Sequence, residues 1–206
     1  SLTPEDWARL VLVTGTIADS PLYVDDTPAL STSEIRSKAH HLQKEGKDLG
    51  LIIVDHLQLM TGPTISDSRE KEISDIIRSL KALAKELDIP IIVVSQLKRK
   101  VDDGPDKRPQ LSDLRDLGII EQGADVIIFL YRNEVYRKIE DDSQRGETEI
   151  IICKQRNGPM GTAIVRFDAN CCTFRRHEPD KDAQIGDPVK PTILKRLLSR
   201  VSPTTR

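Results

Sequence analysis

The chain has 206 residues, 37% hydrophobic and 31% charged, which suits one domain with a buried core and excludes disorder over most of its length. Its 31 basic and 33 acidic residues leave a net charge of −2, so overall basicity does not announce a nucleic-acid binder and local placement must decide. No apolar run approaches the ~20 residues that span a bilayer, and the polar, acidic start is no secretory signal; a cytoplasmic protein without membrane attachment is expected.

Thr3 ahead of Pro4, Glu5 and Asp6 reads as a helix cap, and the helix should run to Leu12 or beyond. PLYV (21–24) reads as a short strand closed by Asp25 and Asp26. Ser31 and Glu34 have capping-box spacing, opening a helix that stops near Glu45 and Gly46. That helix carries His40 and His41, which point about 100° apart and are read as structural or solvent-facing. LIIV (51–54) has no alternation, which predicts a central parallel strand buried on both faces, ending at Asp55. A Gly- and Pro-containing loop leads to an amphipathic helix over 69–87, with Ile73, Ile76, Ile77, Leu80, Leu83, Ala84 and Leu87 at 3, 4, 7 spacing. Asp88 and Pro90 end it.

IIVV (91–94) is a second buried strand, reaching Ser95 and Gln96. Residues 97–110 form a basic, Pro-containing loop, and 113–122 hold a short helical segment. VIIFL (126–130) is a third buried strand, and 134–147 a charged loop. Strands over 149–154 and 162–167 flank Asn157-Gly158, a hairpin signal. From residue 178 the chain turns polar and Pro-rich, with a short helical stretch at 193–201, and is read as a tail behind a domain over 1–177. Strand–helix–strand units with a closing hairpin give an α/β fold: a mostly parallel sheet flanked by helices, with a C-terminal antiparallel hairpin.

Ligands of such sheets sit at the carboxyl ends of the strands. Asp55 there has the form of a Walker B carboxylate, able to hold the water shell of Mg²⁺ beside a nucleotide's phosphates; alone, it is equally a turn cap. Gln96 offers a neutral amide to a γ-phosphate or attacking water, or is only a polar strand end. Lys154 and Arg156 place two cations on one side of a stiff turn, from which they can reach a phosphate on a neighbouring subunit, or are only a solvated turn. Lys98, Arg99, Lys100, Lys107 and Arg108 make a basic loop of the kind phosphate backbones attract, or a charge run that is only solvated. Cys153, Cys171 and Cys172 have neither disulfide nor zinc spacing, and the four histidines add no paired ligands.

Five segments, in order, resemble the DnaB-type replicative helicases: LIIVDHLQLM (51–60), SQLKR (95–99), KRPQLSDLRDLGIIEQGAD (107–125), IFLYRNEVY (128–136) and IIICKQRNGPMGT (150–162). The resemblance covers residues 3–174. It implies a RecA-like P-loop NTPase core and a homohexameric ring that moves along single-stranded DNA at the expense of ATP. The family implies 5′ to 3′ unwinding, and a helicase loader and a primase as partners. Position by position, it implies that Asp55 holds Mg²⁺ through water and that Gln96 senses the γ-phosphate. Lys154 and Arg156 act in trans, and Arg99, Asp116 and Gly118 lie at the DNA, Gly118 through its backbone N–H. Family members often carry Ser where this chain has Leu117, so no side-chain contact is expected there. No GxxxxGK[ST] occurs; Gly46-Lys47 is followed by Asp48, with His41 in place of the first Gly. The resemblance puts the phosphate loop and the catalytic glutamate ahead of Ser1, so these residues alone are expected not to turn over ATP. A RecA-like recombinase or clock ATPase shares part of the pattern, but not the KQRNG and LRDLGIIEQ blocks. A non-catalytic assembly module is the reading from a different class.

Overall fold

The computed structural model describes residues 2–62, 68–97, 107–114, 117–136 and 145–176. Helix α1 (Pro4–Ala18) starts where Thr3 and Asp6 cap each other, Asp6 N–H donating to Thr3 Oγ1 at 3.2 Å and Thr3 N–H to the Asp6 carboxylate at 2.9 Å. Helix α2 (Thr32–Lys44) repeats the device with Ser31 and Glu34, and Gly46 at φ +75° turns the chain away. Between them residues 21–24 form no strand: Tyr23 and Val24 are exposed. Among the described residues β-propensity there meets no neighbouring strand to pair with, which corrects the expectation.

Strand β1 (Ile52–Val54) and strand β2 (Ile91–Val93) pair in parallel, Val54 opposite Val93, joined through helix α3 (Arg69–Leu87) as parallel neighbours must be. Ser68 caps α3, and Asp88 ends it in the left-handed region at φ 53°. The apolar stripe of α3 is the heart of the molecule. Ile73, Ile76 and Leu80 are buried with Leu57 and Met60, under Val54, Ile91 and Val93; Leu83 and Leu87 are buried with Ala39 of α2. Each fully buried side chain of this size contributes roughly 1.5–3 kcal/mol. The opposite face of the pair stays open, with Ile53 61% and Ile92 50% exposed. The expectation of burial on both faces is therefore corrected: an unbroken apolar run shows that two faces can be covered, not what covers them.

After a short helix, α4 (Leu117–Gly123), four strands form an antiparallel sheet: β3 (Val126–Arg132), β4 (Glu147–Gln155), β5 (Gly161–Asp168) and β6 (Thr173–Arg176). The expected combination is present, a helix-linked parallel part and an antiparallel part at the C-terminal end. Among the described strands the antiparallel part is the larger, four against two, and β6 was not anticipated. Strand β3 is not buried throughout. Ile127, Phe129 and Tyr131 point inward while Ile128 and Leu130 lie exposed, an alternation that apolar residues on both sides conceal in the sequence. Ile120 of α4 packs on the α3 core and also on the Leu114–Ile127–Phe129 cluster, so α4 wedges between helix and sheet. No helix among the described residues is long and apolar enough to cross a membrane.

Candidate nucleotide and nucleic-acid site

The carboxyl ends of β1 and β2 lie side by side. Val94 N–H donates to Val54 O at 2.9 Å, and Leu57 N–H returns to Val94 O at 2.9 Å. Asp55 and Gln96 therefore leave one edge together, as expected. The Asp55 side chain is 77% exposed, and His56 Nδ1 lies 3.9 Å from its carboxylate. One residue that the sequence did not single out ties the two ends together. Gln58, in a 3-10 turn over Leu57–Leu59, donates from Nε2 to Ser95 Oγ at 3.1 Å and accepts from Gln96 N–H at 3.3 Å. The turn is itself held: Arg69 donates to Gln58 O at 3.1 Å and pairs with Glu72, which also accepts Gly62 N–H at 2.8 Å. That backbone N–H, with Arg69 second, holds the Glu72 carboxyl below its usual range. No local pattern could have exposed Gln58, because its partners lie 37 and 38 positions away.

The second group of predicted residues sits at the end of β4. Lys154 Nζ donates to the main-chain oxygens of Glu121 and, at 2.9 Å, Ala124. Arg156 Nη2 donates to Gln122 O at 2.7 Å, and the Arg156 backbone N–H to Asp125 O at 3.0 Å. Glu121 and Gln122 carry carbonyls that the C-terminal end of α4 leaves without helical partners, where cations are favoured, and Ala124 and Asp125 follow directly after it. Lys154 and Arg156 do share one side of the turn, but the turn is braced rather than free. The Arg156 side chain remains 50% exposed.

Asp125 joins this cluster. Its carboxylate pairs with Lys81 of α3 and lies 3.6 Å from Arg156 Nε. The Lys81 hydrogen bond first, then the charges of Lys81, Arg156 and Lys154, hold it below the usual aspartate range. No hydrogen bond or ion pair joins the Asp55–Gln96 edge to the cationic turn among the described residues. Helix α3 stands between them, Arg69 touching Gln58 at its start and Lys81, about 18 Å further along the axis, touching Asp125.

Of the residues expected at DNA, Gly118 is exposed near the start of α4, and a Cβ added there meets nothing within 4 Å. Packing therefore does not require glycine at that position. Arg99 and Asp116 lie outside the described residues, as do Lys98, Lys100 and the tail over 178–206. Arg108, counted as part of a basic loop, is engaged instead: it makes a forked pair with Glu149 at 2.7–2.9 Å and lies 5.4 Å over the Tyr131 ring. His40 pairs with Glu86 at 2.7 Å, and no three His, Cys, Asp or Glu side chains converge among the described residues.

The family model of the DnaB-like helicase C-terminal domain matches residues 1–176. The chain belongs to the DnaB-like helicase family. It is 48% identical over 167 residues to the replicative DNA helicase DnaB of Geobacillus stearothermophilus, covering 81% of this chain and 36% of that protein. To DnaB of Buchnera aphidicola (Schizaphis graminum) it is 49% identical over 177 residues, 84% of this chain and 37% of that one. The chain thus spans little more than a third of these relatives. Among solved structures it is similar to an isolated ATPase domain, with a TM-score of 0.79 and 39% identity, covering 86% of this chain and 62% of that one. A DnaB-like replicative helicase solved for its interactions with primase gives 0.78 and 38%, covering 86% and 42%. The fold is thereby RecA-like, and the recombinase and clock-ATPase readings fall away.

Proposed function

We propose that this chain is part of the motor domain of an ATP-dependent replicative DNA helicase, a homohexamer that translocates on single-stranded DNA and unwinds the duplex at the fork. The observation that carries this reading is the edge formed by Asp55 and Gln96, two polar groups at adjoining parallel strand ends, held at fixed spacing by Gln58. Asp55 fits Mg²⁺: an exposed carboxylate without a strong partner among the described residues can accept from metal-bound water. The ion supplies neutralisation of phosphate charge. Gln96 presents an uncharged amide toward the γ-phosphate, and its backbone is coupled to the Asp55 segment, so phosphate occupancy and the position of the following loop move together. That loop leads to Arg99 and then to Asp116 and Gly118, which we assign to the DNA strand, Gly118 through its N–H.

Lys154 and Arg156 act on the nucleotide of the adjoining protomer. Their separation from Asp55 along α3 supports this, since one subunit does not bring the two groups into contact. A loader and a primase are the expected partners, and replication places the assembly in the cytoplasm. The test is Arg156→Ala in the intact gene product. Turnover should fall about 10³-fold or more, as loss of an arginine finger does, with ATP affinity nearly unchanged. Equal loss of turnover and binding contradicts a role in trans.

A further inference from the structure

We infer that Asp125 is a positioning residue for Arg156: with the terminal carbonyls of α4 it braces the cationic turn so that one edge of the guanidinium is presented outward. This rests on the proposed trans role of Arg156 and deepens it. The guanidinium spends Nη2 on Gln122 O at 2.7 Å and directs Nε toward the Asp125 carboxylate at 3.6 Å. The backbone of Arg156 is fixed by Asp125 as well, through its N–H at 3.0 Å to Asp125 O. Among the described residues the Nη1 edge, with two further donors, meets no hydrogen-bond partner and is left for a ligand.

The brace has its own foundation. Lys81 of α3 pairs with the same carboxylate, and Gly123 lies so close to α3 that a Cβ there meets Ile77 Cγ2 at 2.2 Å. Helix α4 is thus pinned to α3 next to the residue that holds the turn. Lys81 has an electrostatic role too. Three cations (Lys81, Lys154, Arg156) surround one carboxylate, so the cluster keeps net positive charge for an incoming triphosphate. Asp125 shared with Lys81 orients Arg156 without neutralising it. Preorganisation of this kind matters most in the transition state, where a side chain that must first be ordered loses part of its effect.

The test uses the intact gene product, with DNA-stimulated ATP turnover as the readout. Asp125→Asn should lower kcat about tenfold while KM for ATP stays within about twofold, the signature of a contact made in the transition state. Asp125→Glu should recover part of the loss, and Asp125→Asn added to Arg156→Ala should cost nothing more, because both act through one group. Should Asp125→Asn fail to assemble, Lys81→Met on a half-exposed face serves instead: a smaller kcat loss, about threefold, that disappears in the Arg156→Ala background. Full kcat in both Asp125→Asn and Lys81→Met, or losses that multiply with that of Arg156→Ala, overturns the inference. If Arg156→Ala itself turns over normally, the trans reading fails and takes this one with it. If Arg156→Ala is inactive while Asp125→Asn is normal, only the brace is wrong.

Discussion

The two halves of the candidate site are built on opposite principles. At the β1–β2 edge the chemistry-bearing groups point outward, and Asp55 is left largely to solvent at 77% exposure; the tightening is done behind them by Gln58 and Arg69. At the β4 turn the chemistry-bearing groups are themselves tied down, Lys154 and Arg156 to carbonyls of α4 and to Asp125. On the proposed reading the first half is a receptor held open by its scaffold. The second is a probe whose cations are already bonded to their own chain, so it can be rigid before any ligand arrives. A carboxylate that meets hydrated metal loses little by waiting in water. A long cationic side chain carries about 2 kcal/mol of rotamer entropy, and spending that in the fold rather than at each turnover is what the brace accomplishes.

This contrast makes its largest prediction in stability rather than activity. Lys154→Met keeps the packing of the stem and removes two charge-assisted bonds to the end of α4. It should destabilise the ligand-free protein by about 1–3 kcal/mol. Asp55→Asn, although expected to damage turnover more, should change stability by no more than about 0.5 kcal/mol, as exposed substitutions do. Denaturant unfolding of both variants decides it. Equal costs erase the distinction between a waiting half and a satisfied half.

How much of this was readable from the sequence follows the same division. The placement of Asp55 and Gln96 at adjoining strand ends was legible because the signal is local: an apolar run, then one polar residue. The α3 stripe, the Thr3 cap and the Ser31–Glu34 capping box were legible for the same reason, and α3 keeps its expected bounds of Arg69–Leu87. Lys154 and Arg156 were legible as charges on a turn, but their partners were not, since the carbonyls of Glu121, Gln122 and Ala124 have no sequence signature. Among the described residues β1, β2 and β3 each leave one apolar face exposed; hydrophobicity records what a strand tolerates and not what lies over it. The strand expected at 21–24 failed from the other direction: pairing needs a neighbour, and propensity does not supply one. Gln58 and Asp125 were missed because their meaning lies wholly in contacts across the fold.

A smaller effect sharpens the receptor half. Gln58→Leu removes the bonds to Ser95 Oγ and Gln96 N–H while nearly keeping volume. Both former partners sit near solvent and can turn to water, so the net cost should be near 1 kcal/mol. If Gln58 sets the spacing of Asp55 and Gln96, DNA stimulation of turnover should fall about fivefold, the same free energy read as a rate, and ATP binding should hold. A variant that binds ATP less well but keeps its stimulation places Gln58 in nucleotide binding and not in coupling.

The smallest expected effect contrasts two cations of one stretch. The resemblance assigns Arg99 to the DNA strand, whereas Arg108 is already forked onto Glu149 and laid over Tyr131. A free cation that meets a phosphate releases a counterion; one neutralised inside the fold has little to release. Arg99→Ala should therefore flatten the dependence of log affinity for single-stranded DNA on log salt by about 0.7, the value of one phosphate contact on a single strand. Arg108→Ala should leave that slope where it was, whatever it does to the loop's stability. Binding isotherms at several salt concentrations compare the two slopes without needing absolute affinities. If Arg108→Ala flattens the line as much as Arg99→Ala, the Glu149 pair opens on DNA, and neutralisation within the fold is no guide to which cations of this loop touch nucleic acid.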